Sequence, residues 1–167
     1  ASRRMSIVLF RVDERLIHGQ VVVGWGAELH PDRIVVVDDE IAHSQWEQEL
    51  YAMGLPSDVT PVFEDVAAAR AQLAAWRSDG ERVLVLTRDV ATMHKLAEGG
   101  SMRGDEVNIG GIHYAPGREA ILPYVYLSGD EIEHINALAV EGVKITARDL
   151  PAARGVDLNE LLQDRKN

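Results

Sequence analysis

Two short apolar runs constrain the fold of this chain more than any other feature. Residues 33–38 have the sequence Arg-Ile-Val-Val-Val-Asp, and residues 82–87 have the sequence Arg-Val-Leu-Val-Leu-Thr. Uninterrupted runs of β-branched and aliphatic residues with polar ends are typical of strands buried on both faces of a parallel sheet. Such strands require helices that cover both sides of the sheet.

Segments of helical periodicity alternate with the apolar runs along the chain. Strands are predicted at 7–10, 33–38, 60–63, 82–87, 106–109, 120–127 and 143–147, and helices at 21–29, 44–53, 64–76, 89–97, 128–139 and after Asp157. Right-handed crossovers between parallel strands place helices on both faces. The sequence therefore predicts an α/β fold, with an open, mostly parallel sheet and helices on both faces, in a single domain.

Several local features refine this prediction. The helix after His18 is expected to be buried on most of its faces, and Trp46, Leu50 and Met53 recur at helical spacing. Pro123 interrupts its predicted strand, which favours an edge or a bulge. Asp39 is interpreted as a helix N-cap.

Composition limits the functional classes. With 167 residues, 46% of them hydrophobic, the chain is long enough to bury a core in one domain. The absence of cysteine excludes disulfides and thiolate sites, and a net charge of −10 argues against nucleic-acid binding. No apolar run is long enough for direct membrane insertion. We expect a cytoplasmic domain over residues 5–167, with residues 1–4 an appended remnant outside it.

The chemistry is concentrated in residues 10–23, where charged residues and one histidine separate two apolar runs. His18 lies where a strand passes into a helix, at the edge of the sheet where ligands bind in open α/β proteins. Its neutral imidazole is a suitable nucleophile for a phosphoryl group, and Arg15 is suited to bind the phosphoryl oxygens. Gly19 and Gln20 can direct backbone N–H groups toward the same oxygens. Asp13 either orients His18 or Arg15 or caps the helix.

Other strand ends are expected at the same edge. They carry Asp38-Asp39, Thr87-Arg88 and the segment from Asn108 to His113. Gly110-Gly111 is a weak signal for a phosphate-binding loop, because paired glycines commonly mark a turn. The histidines form no metal-binding motif, and neither a Walker loop nor a Gly-x-Gly-x-x-Gly motif is present. No metal and no nucleotide cofactor is therefore predicted.

These residues alone leave two other interpretations open. A single histidine near a strand end is often a hydrogen-bonded structural residue, in which case the charges around it are ordinary loop charges. A doubly wound domain can also be a small-molecule binding protein.

Residues 11–21, Arg-Val-Asp-Glu-Arg-Leu-Ile-His-Gly-Gln-Val, resemble the active-site segment of IIB components of the mannose/fructose/sorbose class of the bacterial sugar phosphotransferase system (PTS). The resemblance continues through Asn108-Ile109-Gly110-Gly111-Ile112 and residues 143–151. It covers the chain from Met5 onward.

The resemblance implies a function and a set of partners. In that family, the histidine matching His18 takes a phosphoryl group from a phosphohistidine of the IIA component. It passes this group to a sugar carried by the membrane components IIC and IID, which implies peripheral association with the membrane. A regulatory module phosphorylated on the same histidine is the alternative.

The resemblance also implies roles for the neighbouring residues. Arg15 becomes the leading phosphoryl-binding residue, and Asp13 and the loop from Asn108 to Gly111 shape the pocket. His113 is either a residue supporting the phosphoryl site or a docking residue. The sugar is not assigned from this chain.

Overall fold

The fold is built on a seven-stranded sheet, as seen in a computed structural model that describes residues 6–166; the predicted remnant at 1–4 lies outside the described residues. The strands of this sheet lie in the order β3-β2-β4-β1-β5-β8-β9. Their bounds are β1 Ile7–Val12, β2 Arg33–Val37, β3 Thr60–Glu64, β4 Val83–Thr87, β5 Glu106–Ile109, β8 Lys144–Ala147 and β9 Val156–Asp157. All neighbours pair in parallel except β8 and β9.

Helices cover both faces of the sheet. They are a π-helical turn at Gln20–Trp25, α1 Gly26–Leu29, α2 Gln45–Ala52, α3 Val66–Ser78, α4 Val90–Ala97, α5 Gly129–Val140 and α6 Leu158–Lys166, with 3₁₀ turns at Ile41–His43 and Glu98–Gly100. The predicted α/β fold with an open, mostly parallel sheet is confirmed.

Alternating residues of the central strands divide the core into two unequal parts. Val35 of β2 and Val85 of β4 face a large cluster completed by α3 to α6. Ile34 and Leu84, one position earlier in each strand, face a smaller cluster completed by residues 16–21. Since successive side chains of a strand point to opposite faces, apolar residues at every position bury both sides of the sheet.

Two elements near His18 differ from the prediction. The first strand continues past Phe10 to Val12, because the charge of Arg11 is paired inside the protein. The helix after His18 was expected to be buried on most faces, which is wrong. Only Val21 and Trp25 are buried in its π-helical turn, and Val23 is 71% exposed. This turn lies over the sheet as a single outer layer, so only one of its sides meets the core.

The segment at 120–127 is also corrected. It forms a separate antiparallel hairpin of β6 Glu119–Leu122 and β7 Val125–Leu127, with Pro123 in the turn. Because proline has no backbone N–H for a strand ladder, it fits the turn better than a continuous strand. The two-residue strand β9 was not predicted.

Side-chain caps fix the helix ends that the sequence indicated. The hydroxyl of Ser128 accepts a hydrogen bond from the Glu131 backbone N–H, and the Glu131 carboxylate accepts one from the Ser128 N–H. Asp157 accepts a hydrogen bond from the N–H of Glu160 at the start of α6. Both predicted caps are confirmed.

We expect Ser128→Ala to lower the free energy of unfolding by about 1 kcal/mol, because N–H groups at the start of α5 lose their cap. Urea denaturation measures the change. Ser57→Ala, in an exposed turn, is the control and is expected to stay within about 0.5 kcal/mol of the unchanged chain. Equal effects of the two substitutions would contradict the capping role.

Candidate active site

The candidate site begins where β1 ends at the carboxyl edge of the sheet. Asp13 follows the strand directly, and its carbonyl accepts a hydrogen bond from the Leu16 N–H at 3.0 Å, which closes a tight turn. Leu16 has a φ of 54°, in the left-handed region, and its side chain is fully buried. Such a backbone costs a leucine about 1–2 kcal/mol, which burial in the smaller core offsets. The turn presents His18 at the start of the π-helical turn.

Asp13 is the centre of the site. Its side chain is completely buried, and its two oxygens meet different partners. Oδ2 lies 3.0 Å from Nε2 of His18, a close contact that is poorly aligned for a hydrogen bond. Oδ1 lies 3.9 Å from Nε of Arg15 and accepts a hydrogen bond from the Arg15 backbone N–H at 3.1 Å. One carboxylate therefore positions both residues that the sequence singled out.

Arg11 supports Asp13 from within the sheet. This arginine is completely buried, and its Nη2 lies 3.1 Å from Oδ2 of Asp13. It donates to Asn108 Oδ1 and to the carbonyls of Arg148 and Asp149, and its guanidinium lies over the ring of Trp25, 5.2 Å from the centroid.

Arg11 lies in the segment that carries the family resemblance, but no role was predicted for it. The signal that identifies it is a charged residue inside an apolar strand. Such a residue is stable there only when it is paired and hydrogen-bonded.

The environment sets the charge states of this pair. Burial by itself raises the pKa of Asp13. The His18 contact and the Arg11 charge lower this pKa by more than burial raises it, so the pKa lies below its ordinary value. Burial lowers the pKa of Arg11, partly compensated by Asp13. Arginine nonetheless stays charged at neutral pH. The centre of the site is thus an ionised pair.

The second predicted loop packs against Arg11. Asn108 is buried, and its side-chain oxygen accepts the Arg11 hydrogen bond. A Cβ at Gly110 would overlap the Arg11 guanidinium, so this position requires glycine. A Cβ at Gly111 would lie 3.8 Å from Arg15 Nη2 and from Asp13 Oδ1. The structure therefore brings Asn108, Gly110 and Gly111 to the site, two of them through contact with Arg11.

The remaining predicted residues lie around the exposed side of the site. Gln20 accepts a hydrogen bond from Arg15 Nη2 at 2.9 Å, and Gly19 is exposed. His113 is turned toward Glu14, with Nδ1 3.1 Å from the carboxylate. Arg118 pairs with that same carboxylate, so His113 belongs to an ion-pair cluster on the neighbouring surface.

The acidic pair after β2 differs in detail from the prediction. Asp38, not Asp39, caps the following turn, because its Oδ1 accepts from the N–H groups of Glu40 and Ile41. Asp39 instead accepts a hydrogen bond from Val66 N–H at the start of α3. Asp38 also pairs with Arg88 at 2.6 Å. A capping aspartate accepts from N–H groups two and three residues later, which Asp38 does here, so the cap was assigned one residue too late.

Between residues 6 and 166, no helix is long and apolar enough to cross a membrane. Within the same range, no three histidine, aspartate or glutamate side chains cluster in a way that could hold a metal ion.

Comparison with known proteins decides the family. The sequence model described as PTS system sorbose subfamily IIB component matches residues 7–167. The chain belongs to this family. As a IIB component it is a phosphotransferase that carries a phosphoryl group toward a sugar, and no finding favours a regulatory role.

Individual relatives agree with this assignment. The N-acetylgalactosamine-specific phosphotransferase enzyme IIB component 2 of Escherichia coli is 31% identical, over 94% of this chain and 99% of the relative. The mannose-specific EIIAB component of Escherichia coli is 32% identical over 92% of this chain, which matches 48% of that longer protein. The crystal structure of manxB from Thermoanaerobacter tengcongensis has a TM-score of 0.81 and 31% identity, over 94% of this chain and 95% of that chain.

The buried carboxylate makes the stability of this IIB component depend on pH. Since the pKa of Asp13 is lower in the folded chain than its ordinary 3.8, the carboxylate stabilises the fold above that value. This contribution is lost as the pH falls through the folded-state pKa.

We expect Asp13→Asn to lower the free energy of unfolding by about 3 kcal/mol at neutral pH, because Arg11 loses its counter-charge. The difference in the free energy of unfolding between the variant and the unchanged chain should become smaller below about pH 4. Chemical denaturation at a series of pH values measures both quantities. The control is Asp58→Asn, which changes an exposed carboxylate; a difference that does not depend on pH would refute the assignment.

Proposed function

We propose that His18 is the residue that carries the phosphoryl group. The observation that supports this best is the shared carboxylate, because Asp13 holds the His18 imidazole by Oδ2 and lies beside Arg15 by Oδ1. A nucleophile and a phosphoryl-binding cation are thereby fixed on one buried support. Such preorganisation is the main means by which phosphoryl transfer is catalysed.

The contact with Asp13 also selects the reacting nitrogen. Nε2 of His18 is buried and faces the carboxylate, so we assign the proton to Nε2. The lone pair is then on Nδ1, and the His18 side chain is 13% exposed. In the transfer, the bond from phosphorus to the donor histidine breaks as the bond to Nδ1 forms. The carboxylate stabilises the positive charge that the phosphorylated ring acquires, as an orienting aspartate does for other catalytic histidines.

Arg15 and the start of the π-helical turn would hold the phosphoryl oxygens. The Arg15 side chain is 46% exposed and uses one Nη2 donor on Gln20, so further N–H donors of its guanidinium are available. Gly19 leaves open space beside His18, since a Cβ there would meet nothing within 4 Å. Asn108 and Gly110 would act by holding Arg11, and Gly111 by its place beside Arg15.

The family sets the partners. IIB components work with a IIA component, with membrane components and with a sugar. The mannose-specific EIIAB relative, of which this chain matches 48%, joins a IIA part and a IIB part in one chain, according to its name. We propose a IIA component as the donor to His18. We propose that IIC and IID deliver the sugar, so that this chain is held at the cytoplasmic membrane surface by protein contacts.

The first test is phosphorylation of the chain. Supplied with phosphoenolpyruvate, the general PTS proteins and a IIA partner, the unchanged chain is expected to acquire an acid-labile phosphoryl group. His18→Ala is expected to lower the label by about 100-fold or more, because it removes the accepting nitrogen and the loss of a catalytic residue costs about 10⁴-fold or more. His43→Ala changes an exposed histidine that is not among the predicted site residues and serves as the control. Undiminished labelling of His18→Ala would overturn the proposal.

The second test asks which ring nitrogen of His18 carries the phosphoryl group. Nuclear magnetic resonance of the phosphorylated chain, with ¹⁵N-labelled histidine, is expected to show phosphorus bonded to Nδ1 and a proton on Nε2. Coupling of phosphorus to Nε2 would contradict the role given to Asp13, while leaving His18 as the carrier.

A further inference from the structure

Helix α2 has its apolar residues on the outside. Trp46, Leu50 and Met53, spaced to lie on one helical face, are 68%, 59% and 82% exposed. No residue of α2 is buried. The helix is held instead by Tyr51, which packs on the smaller core, and by Gln48, which donates to two carbonyls of the preceding 3₁₀ turn. We call the surface formed by Trp46, Leu50 and Met53 the α2 stripe.

The end of α2 adjoins the segment that carries His18. Tyr51 of α2 and Leu55, just after it, pack in the same cluster as Leu16 and Ile17, which precede His18. Leu55 also lines a groove of about 400 Å³ together with the exposed Val23 of the π-helical turn. A partner that covers the α2 stripe and this groove would therefore lie beside the π-helical turn that follows His18.

The charge around the α2 stripe is strongly one-sided. Residues 34–69 contain eight aspartates and glutamates and no lysine or arginine, so this segment holds most of the formal net charge of −10. Glu47 and Glu49 lie on α2 itself, and Glu40 is exposed just before it. An exposed apolar face inside an acidic field fits a partner surface that is apolar and basic.

We propose that the α2 stripe docks the membrane component that carries the sugar to be phosphorylated. This inference rests on the proposed function. Cytoplasmic loops of membrane proteins carry an excess of lysine and arginine, which complements residues 34–69. Anionic lipid headgroups repel an acidic face, so a protein loop is the better match. The phosphorylated IIA donor brings additional negative charge, which the acidic face does not attract.

The experiment separates the two transfer steps in the full chain. Trp46→Ala and the charge reversal Glu47→Lys are compared with Val140→Ala and Glu133→Lys, which change exposed residues of α5 on the opposite side of the sheet. Phosphorylation from a IIA partner is measured with purified proteins. Phosphorylation of sugar is measured with membranes that contain the cognate IIC and IID components, at varied concentrations of the phosphorylated chain.

We expect Trp46→Ala and Glu47→Lys to raise the KM for the phosphorylated chain in the membrane step by about tenfold, as for an aromatic anchor at the centre of an interface. The rate of phosphorylation from IIA, the kcat of sugar phosphorylation and the α5 controls should remain unchanged. Added salt should also raise the KM of the membrane step for the unchanged chain, and it should raise this KM less for Glu47→Lys.

Three results would overturn the docking proposal. Loss confined to the IIA step would identify IIA as the occupant of the α2 stripe. If the unchanged chain sediments as a dimer and Trp46→Ala sediments as a monomer, the occupant of the α2 stripe is a second copy of this chain. Unchanged kinetics in both steps would leave the stripe without a docking role. All three presuppose labelling at His18, whereas absence of labelling in the unchanged chain would refute the proposed function itself.

Discussion

The ion pair between Arg11 and Asp13 supports the rest of the site. Both side chains are completely withdrawn from water, and neither is stable there without the other. Their pairing lets β1 continue to the edge of the sheet with a charged residue inside it. It also requires glycine at position 110 and the Asn108 amide beside the guanidinium. The geometry of the site follows from this one pair.

The pair also links segments that are distant in the sequence. Arg11 donates to the carbonyls of Arg148 and Asp149, so the segment after β8 is attached to β1. Trp25 stacks on the same guanidinium and donates to the Asp149 carbonyl. These two contacts of Trp25 hold the π-helical turn that follows His18 against β1 and the segment after β8. A histidine placed on a loop gains the rigidity of three elements in this way, and fixed geometry is what phosphoryl transfer requires.

The two faces of the sheet differ in how much apolar core they bury. The larger core lies under α3 to α6 and provides most of the buried apolar surface. The smaller core lies under the π-helical turn and α2, which form a thin layer with apolar side chains exposed to solvent. The thin layer borders His18 and includes acidic residues of α2, so the face that contributes less to the core is the one that we propose meets the membrane component.

The sequence alone determined the fold class and the family, and it predicts His18 as the carrier of the phosphoryl group. Apolar runs such as 33–38 specify buried parallel strands because both of their faces need cover, and residues 11–21 carry the family's pattern. Tertiary structure alone decided the strand order, the role of Arg11 and the outward direction of the α2 stripe. Periodicity shows that Trp46, Leu50 and Met53 share a helical face, but not which way that face points. Likewise, a charged residue inside an apolar strand signals a buried charge, but the partners of Arg11, 97 residues away for Asn108, are identified only by the fold.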